Sequence, residues 1–134
     1  MFFQSRFGRI CVVILAGYTL CLPVHAEWRE LSNTAEGQFW YDDAIEREGD
    51  KVNVWRVTDF STPLTNLEGK EVRSEKTRTT IDCAQNKMAY SQVTRYAQSH
   101  ATGEVMNQYE TPLRFTRIAP GGVDALLAQK VCTQ

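Results

Sequence analysis

Few residues in this 134-residue chain could do acid–base or nucleophilic chemistry. His100 follows Ser99 in a loop-like stretch, but neighbours in sequence do not form a catalytic triad by that fact. The chain has no nucleophile elbow, no phosphate-binding loop and no zinc-ligand spacing. The sequence therefore predicts a protein that is not an enzyme and that uses no cofactor.

Acidic side chains cluster between positions 36 and 50. Paired carboxylates could perform acid–base chemistry or hold Ca²⁺. However, Asp42 and Asp43 are adjacent on a predicted strand and point to opposite faces. The cluster also lacks the alternating ligands of a calcium loop, so we expect a solvated face and no metal site. Its members are Glu36, Asp42, Asp43, Glu46, Glu48 and Asp50.

Basic side chains form a second cluster, the basic strip. Strand alternation places Arg73 on one face and Lys76 and Arg78 on the other. A positive strip on an acidic domain could dock an acidic partner or a polyanion. The alternative is a charged face or edge that protects a sheet from aggregation. The candidate partner-binding residues are Arg73, Lys76, Arg78 and Lys87.

The first 26 residues have the pattern of a secretory signal peptide. Arg6 and Arg9 precede an apolar run from 10 to 22, and Val24 and Ala26 are small residues at the −3 and −1 positions. The run is shorter than the roughly 20 residues of a membrane span. We expect cleavage after Ala26 and export to the periplasm or the cell surface. The residues before Cys21 fit a lipoprotein signal poorly, although lipidation there stays an alternative.

The predicted mature chain, residues 27–134, is one domain of 108 residues. It has 13 basic and 16 acidic side chains, since the leader removes two arginines and no acid, and its formal charge is −3. This charge argues against nucleic-acid binding. No stretch of the mature chain is apolar enough to span a membrane. Cys83 and Cys132 remain, and an even pair in an exported chain predicts a disulfide, with free thiols for redox or metal binding as the alternative.

The elements that would position these groups are mostly strands. Segments 38–45 and 52–58 resemble a hairpin, and 72–82, 87–96 and 104–109 are further candidate strands. The alternation in 52–58 is imperfect, which a bulge or burial on both faces would explain. Met88, Tyr90 and Tyr96 are expected on one side of their strand. The three tryptophans, Trp28, Trp40 and Trp55, are expected to build the core.

The last element, 123–132, has the spacing of an amphipathic helix. Its i, i+3, i+4, i+7 and i+8 positions are Val123, Leu126, Leu127, Lys130 and Val131. A helix of about ten residues is marginal alone, so it must pack on the sheet.

Taken in order, several segments resemble the bacterial surface-adhesin protein E family. They are Trp28, Phe39 to Asp42, Ile45 to Trp55, the Asp82-Cys83 pair, Ile118 to Gly121 and the terminal helix ending in Cys132. The resemblance implies an α+β fold: an antiparallel sheet of about six strands, with a C-terminal helix tethered by the disulfide. It also implies a binding protein whose partner is a host extracellular-matrix or serum protein, or a protein of the cell envelope.

Two alternatives stay open at this point. The alternative function is a periplasmic ligand-binding or lysozyme-inhibitor-like module. The alternative assembly is a homodimer. A groove under the helix would favour a small-molecule ligand, whereas an exposed basic strip without a groove would favour a macromolecular partner.

Overall fold

Within the described residues, 28–132 form an antiparallel sheet and a C-terminal helix. The computed structural model describes residues 8–13, 15–17, 19–24 and 27–133. Its elements are β1 Gly8–Val13, β2 Thr19–Val24, β3 Trp28–Thr34, β4 Gly37–Asp42, β5 Glu46–Glu48, β6 Lys51–Thr65, β7 Glu71–Asp82, β8 Lys87–Gln98, β9 Thr102–Glu110, β10 Thr116–Arg117 and α1 Val123–Cys132. The expected α+β fold is confirmed. Its sheet has eight strands rather than about six, because the three-residue β5 and the two-residue β10 join the longer ones.

The predicted signal peptide contains a separate two-stranded sheet. There β1 pairs with β2 in antiparallel register, and neither strand joins the eight-stranded sheet. The predicted cleavage site includes His25 and Ala26, which lie outside the described residues, so processing stays a prediction. Among the described residues, no helix is long and apolar enough to cross a membrane.

Three long strands, β6, β7 and β8, form the centre of the main sheet and pair in that order. The free side of β6 is shared by β4 and β5, and β3 pairs with β4 at the outer edge. The free side of β8 is shared by β9 and β10. The central strands are rich in valine and threonine, which suit a pleated and half-buried surface.

Strand β6 is buried on both faces, which accounts for its imperfect alternation. Its pairing with β7 is unbroken from Lys51 to Asp59, so no bulge interrupts it there. Val52 and Val54 pack beneath the helix, whereas Val57 is buried on the opposite face. We call these two sides the helix face and the helix-free face.

Strand β8 carries a β-bulge. Arg78 on β7 lies opposite Gln92, but the next residue of β7, Thr79, lies opposite Tyr90. The extra residue in β8 reverses the alternation of every side chain beyond it. The expectation that Tyr96 shares a face with Tyr90 is therefore wrong: Tyr96 lies on the helix-free face, opposite Ser74.

The helix closes one end of the sheet. Its bounds, Val123–Cys132, are those predicted from sequence, and Leu127 and Val131 are fully buried. The Cys83–Cys132 disulfide is confirmed and joins the end of the helix to the residue after β7. Among the described residues, the helix and the sheet share a core of ten buried side chains: Leu31, Phe39, Tyr41, Val52, Val54, Ile81, Met88, Ile118, Leu127 and Val131.

Polar contacts fix both ends of the helix to the sheet. Near its start, Asp124 accepts hydrogen bonds from Arg56 Nη1 at 2.5 Å and from the Tyr90 hydroxyl at 3.1 Å. Near its end, Arg47 Nη2 donates to the carbonyl of Val131 at 2.5 Å. Arginine suits the latter position because the last carbonyls of a helix lack partners and carry partial negative charge. The helix is therefore held by its apolar side, by both termini and by the disulfide.

Candidate protein-binding face

Two tryptophans and two cations alternate across the helix-free face. Trp55 on β6 lies directly opposite Arg78 on β7. Lys76 lies two residues before Arg78, and Trp28 enters this face from the edge strand β3. We call Trp28, Trp55, Lys76 and Arg78 the tryptophan face.

These four side chains stack on one another. Lys76 Nζ lies 4.9 Å from the Trp55 ring centroid and 5.8 Å from that of Trp28. The Arg78 guanidinium carbon lies 5.4 Å from the Trp55 ring. Cations within about 6 Å of an indole face are attracted by its quadrupole, with about 0.5–1 kcal/mol at exposed sites. The stack favours these positions of the four side chains before any partner binds.

The charged groups of this face are partly buried or paired. Burial among the rings lowers the pKa of Lys76, and burial likewise raises the pKa of Asp42, which lies opposite Trp28. Arg78 Nη2 forms an ion pair with Glu46 Oε2 at 3.0 Å. The face therefore combines an exposed indole ring with partly desolvated charged groups, a composition typical of binding hot spots in protein–protein interfaces.

The basic strip is divided by the sheet. Lys76 and Arg78 are brought together on the helix-free face, as alternation predicts. Lys87 lies opposite Asp82, which is four residues beyond Arg78 on β7. Lys87 is therefore on the same face as Arg78, but about 13 Å further along the strand direction. Alternation turns Arg73 to the other side, where it pairs with Glu71 at 3.0 Å.

The expectation that the tryptophans build the core is wrong. Trp28 is 42% exposed, and Trp40 and Trp55 are half-buried outside the core beneath the helix. Valine and isoleucine fill that core instead. The sequence signal for this outcome was present: Trp55 alternates with the polar Asn53 and out of phase with Val52 and Val54.

His100 has a structural partner in this protein. Its Nδ1 lies 2.8 Å from Asp59 Oδ2, and its backbone N–H donates to Asp59 Oδ1 at 2.6 Å. The imidazole also meets the Trp40 ring edge-on, with centroids 5.7 Å apart. Ser74 Oγ accepts from the N–H of Ala101 at 2.9 Å. These contacts dock the β8–β9 turn on the helix-free face.

The remaining candidate sites are an acidic cluster and surface grooves. Asp43 accepts a hydrogen bond from the N–H of Glu27 and pairs with Arg29 at 3.0 Å. The hydrogen bond from Glu27 and the pairing with Arg29 both lower the pKa of Asp43. In the described part of the chain, no group of three or more His, Cys, Asp or Glu is placed to hold a metal. A groove lined by Val123, Ala125 and Leu126 lies beside the helix, so a feature expected of a ligand-binding module is present together with the tryptophan face.

Comparison with solved structures identifies similar folds. Crystal form II of Haemophilus influenzae protein E has a TM-score of 0.64 and 15% identity, covering 82% of this chain and 90% of that chain. The selenomethionine form of protein E has a TM-score of 0.61 and 17% identity, covering 82% and 88%. Protein E from non-typeable Haemophilus influenzae has a TM-score of 0.62 and 14% identity, covering 94% and 84%. At these identities the likeness shows the fold alone.

Sequence comparison gives the family. A search of curated proteins finds no significant match. The family model described as Surface-adhesin protein E matches residues 28–133, which span the sheet, the helix and both cysteines of the disulfide. The resemblance carried by Trp28, the strand segments and the terminal helix is thereby confirmed, and the chain belongs to the surface-adhesin protein E family.

Proposed function

We propose that this protein is an exported, non-enzymatic binding domain that uses the tryptophan face to hold a protein partner. The observation that carries the proposal is the stack of Trp28, Lys76, Trp55 and Arg78 on the side of the sheet opposite α1. Tryptophan and arginine are enriched among residues that dominate binding energy. Preorganised side chains also lose less conformational entropy on binding.

The partner class follows from family membership and from charge. We propose a host extracellular-matrix or serum protein, with an acidic patch that faces Lys76 and Arg78. Arg73 and Lys87, the outlying members of the basic strip, add long-range attraction more than direct contact. The exposed edge of β9 offers a route to a homodimer by strand pairing, which is the alternative assembly.

Mutation of the tryptophan face is expected to weaken partner binding. Trp55→Ala removes the ring that both cations contact, and a central interface residue of this kind contributes about 2 kcal/mol or more, or roughly 30-fold in Kd. Lys76→Glu with Arg78→Glu should slow association and reduce its salt dependence. The measurement is surface plasmon resonance of the exported protein against a panel of matrix and serum proteins.

Two controls make this test specific. Tyr109→Ala changes an exposed aromatic residue on the other face, and Arg73→Ala removes a cation outside the stack; both should bind nearly as the wild type does. Circular dichroism must show that each variant is folded. Binding that survives Trp55→Ala and both charge reversals would place the interface elsewhere, and the absence of any bound panel protein would reject the partner class.

Export is proposed from the leader of the chain. The protein recovered from the periplasm or the cell surface is expected to begin at Glu27, because Val24 and Ala26 suit the signal-peptidase site. Intact-mass spectrometry measures this directly. A mass that retains residues 1–26, or that carries a diacylglycerol group on Cys21, would contradict the proposed processing and solubility.

A further inference from the structure

The helix face is only partly covered, and the uncovered part forms a groove. A ten-residue helix is about 15 Å long, whereas the fifteen-residue β6 extends for about 50 Å. The helix begins near Asp124, where Arg56 contacts it, so in the described part of the chain no helix lies above the sheet beyond Arg56. A groove of about 570 Å³ lies there.

One cross-strand row forms the floor of this groove. Arg56, Thr77, Val93 and Tyr109 are successive register partners on β6, β7, β8 and β9. Partners directly opposite one another share a face, and strands are about 4.8 Å apart, so the row extends for about 14 Å. Thr77 and Val93 are buried, while Tyr109 is 39% exposed. The floor is therefore cationic at one end, apolar in the middle and aromatic at the other.

One of the charged side chains around the groove is not neutralised by another described residue. Glu75 in its wall accepts from Arg95 Nε at 2.8 Å and from Thr77 Oγ1 at 3.3 Å. Arg56 is paired with Asp124. Arg114, in the segment between β9 and β10, is exposed and forms no ion pair with any described residue.

We infer that this groove, which we call the arginine groove, binds a small amphipathic carboxylate. The carboxylate would pair with Arg114, whose planar guanidinium can donate two parallel hydrogen bonds to it. The apolar part would lie on Val93, Pro112 and the Tyr109 ring. The volume falls within the roughly 300–1,000 Å³ of small-molecule sites. The inference is independent of the proposed protein partner, which would dock on the opposite face.

Matched ligands test the role of charge. The probes are 2-naphthoate and 2-naphthamide, which share an aromatic body and differ in the anionic group. Isothermal titration calorimetry on the folded protein is expected to show that the carboxylate binds about tenfold more tightly than the amide, as a charge-assisted bidentate contact at a partly exposed site implies. Equal affinity for the two probes, or no binding of naphthoate at millimolar concentration, would overturn the inference.

Matched variants test the location. Arg114→Gln should remove the preference for the carboxylate, and Tyr109→Ala should weaken both probes; each position is exposed, so neither change threatens folding. Arg73→Gln removes one positive charge that lies on the same face but outside the lining of the groove, and it should leave naphthoate binding unchanged, as should Trp55→Ala on the opposite face. An unchanged preference in Arg114→Gln, or an equal loss in Arg73→Gln, would reject the groove as the site. Failure of the proposed protein partner would not affect any of these measurements.

Discussion

Cys132→Ser is expected to lower the free energy of unfolding by about 2–5 kcal/mol, the usual effect of removing a native disulfide from a small secreted domain. Cys83 and Cys132 are 49 residues apart in sequence. Closing a loop of this length contributes roughly 4 kcal/mol in the chain-entropy model. A domain of this size has a total stability of about 5–15 kcal/mol, so the bond decides whether the domain is robust or marginal.

The loss should appear first in the helix. Without the bond, α1 is held by its buried face and by contacts at its two ends, so amide exchange should accelerate across 123–131 before global unfolding. Urea denaturation measures the free energy, and hydrogen–deuterium exchange locates the change. The double variant Cys83→Ser/Cys132→Ser, which has no stray thiol, and the reduced wild type should match the single variant. Stability within 1 kcal/mol of the oxidised wild type in all three would contradict this role.

Leu127→Ala is expected to lower the free energy of unfolding by about 2–5 kcal/mol, comparable with loss of the disulfide. Leu127 has no exposed surface and lies in the core between the helix and the sheet. Truncation removes its transfer free energy and leaves a cavity that the disulfide-tethered helix cannot fully close. The predicted effect is therefore that of a core residue, although the helix is a short terminal element.

A matched substitution controls this prediction. Leu113→Ala removes the same atoms from a side chain that is 52% exposed, and should change stability by less than about 1 kcal/mol. Chemical denaturation of both variants gives the comparison. Combining Leu127→Ala with Cys132→Ser completes a double-mutant cycle, and the two effects should not add, since both changes loosen the same helix. A loss for Leu127→Ala no larger than that for Leu113→Ala would show that the helix is not packed on the sheet.

Local sequence patterns were sufficient to predict the long strands, the terminal helix and the disulfide that joins the helix to the sheet. The spacing of Leu126, Leu127 and Val131 fixes a helix with one apolar stripe, because side chains three and four residues apart share a helix face. An even pair of cysteines in a chain with a secretory leader predicts one bond. Both kinds of signal depend on residue type and local spacing, and the structure confirms both.

The face of the sheet on which each side chain lies could not be predicted in the same way. One extra residue in β8 moved Tyr96 to the face opposite Tyr90, since an alternation of period two reverses at every bulge. Trp55 alternates with the polar Asn53, but the buried Val57 lies on the same face and obscured this signal. A pattern read within a single strand cannot reveal which side chains a neighbouring strand places beside it.

The sequence by itself determined that the chain is mostly strand, with a terminal helix and a bond between Cys83 and Cys132. The antiparallel sheet was implied by the family resemblance, and the leader stays a prediction. Only the tertiary structure decided which charges are paired and which surfaces are open. Glu46 neutralises Arg78 from 32 residues away, and Asp59 meets His100 across 41. The arginine groove exists because the helix is shorter than the strands beneath it. Such contacts depend on strand register and element length in three dimensions, which the types and spacing of residues within one segment do not specify.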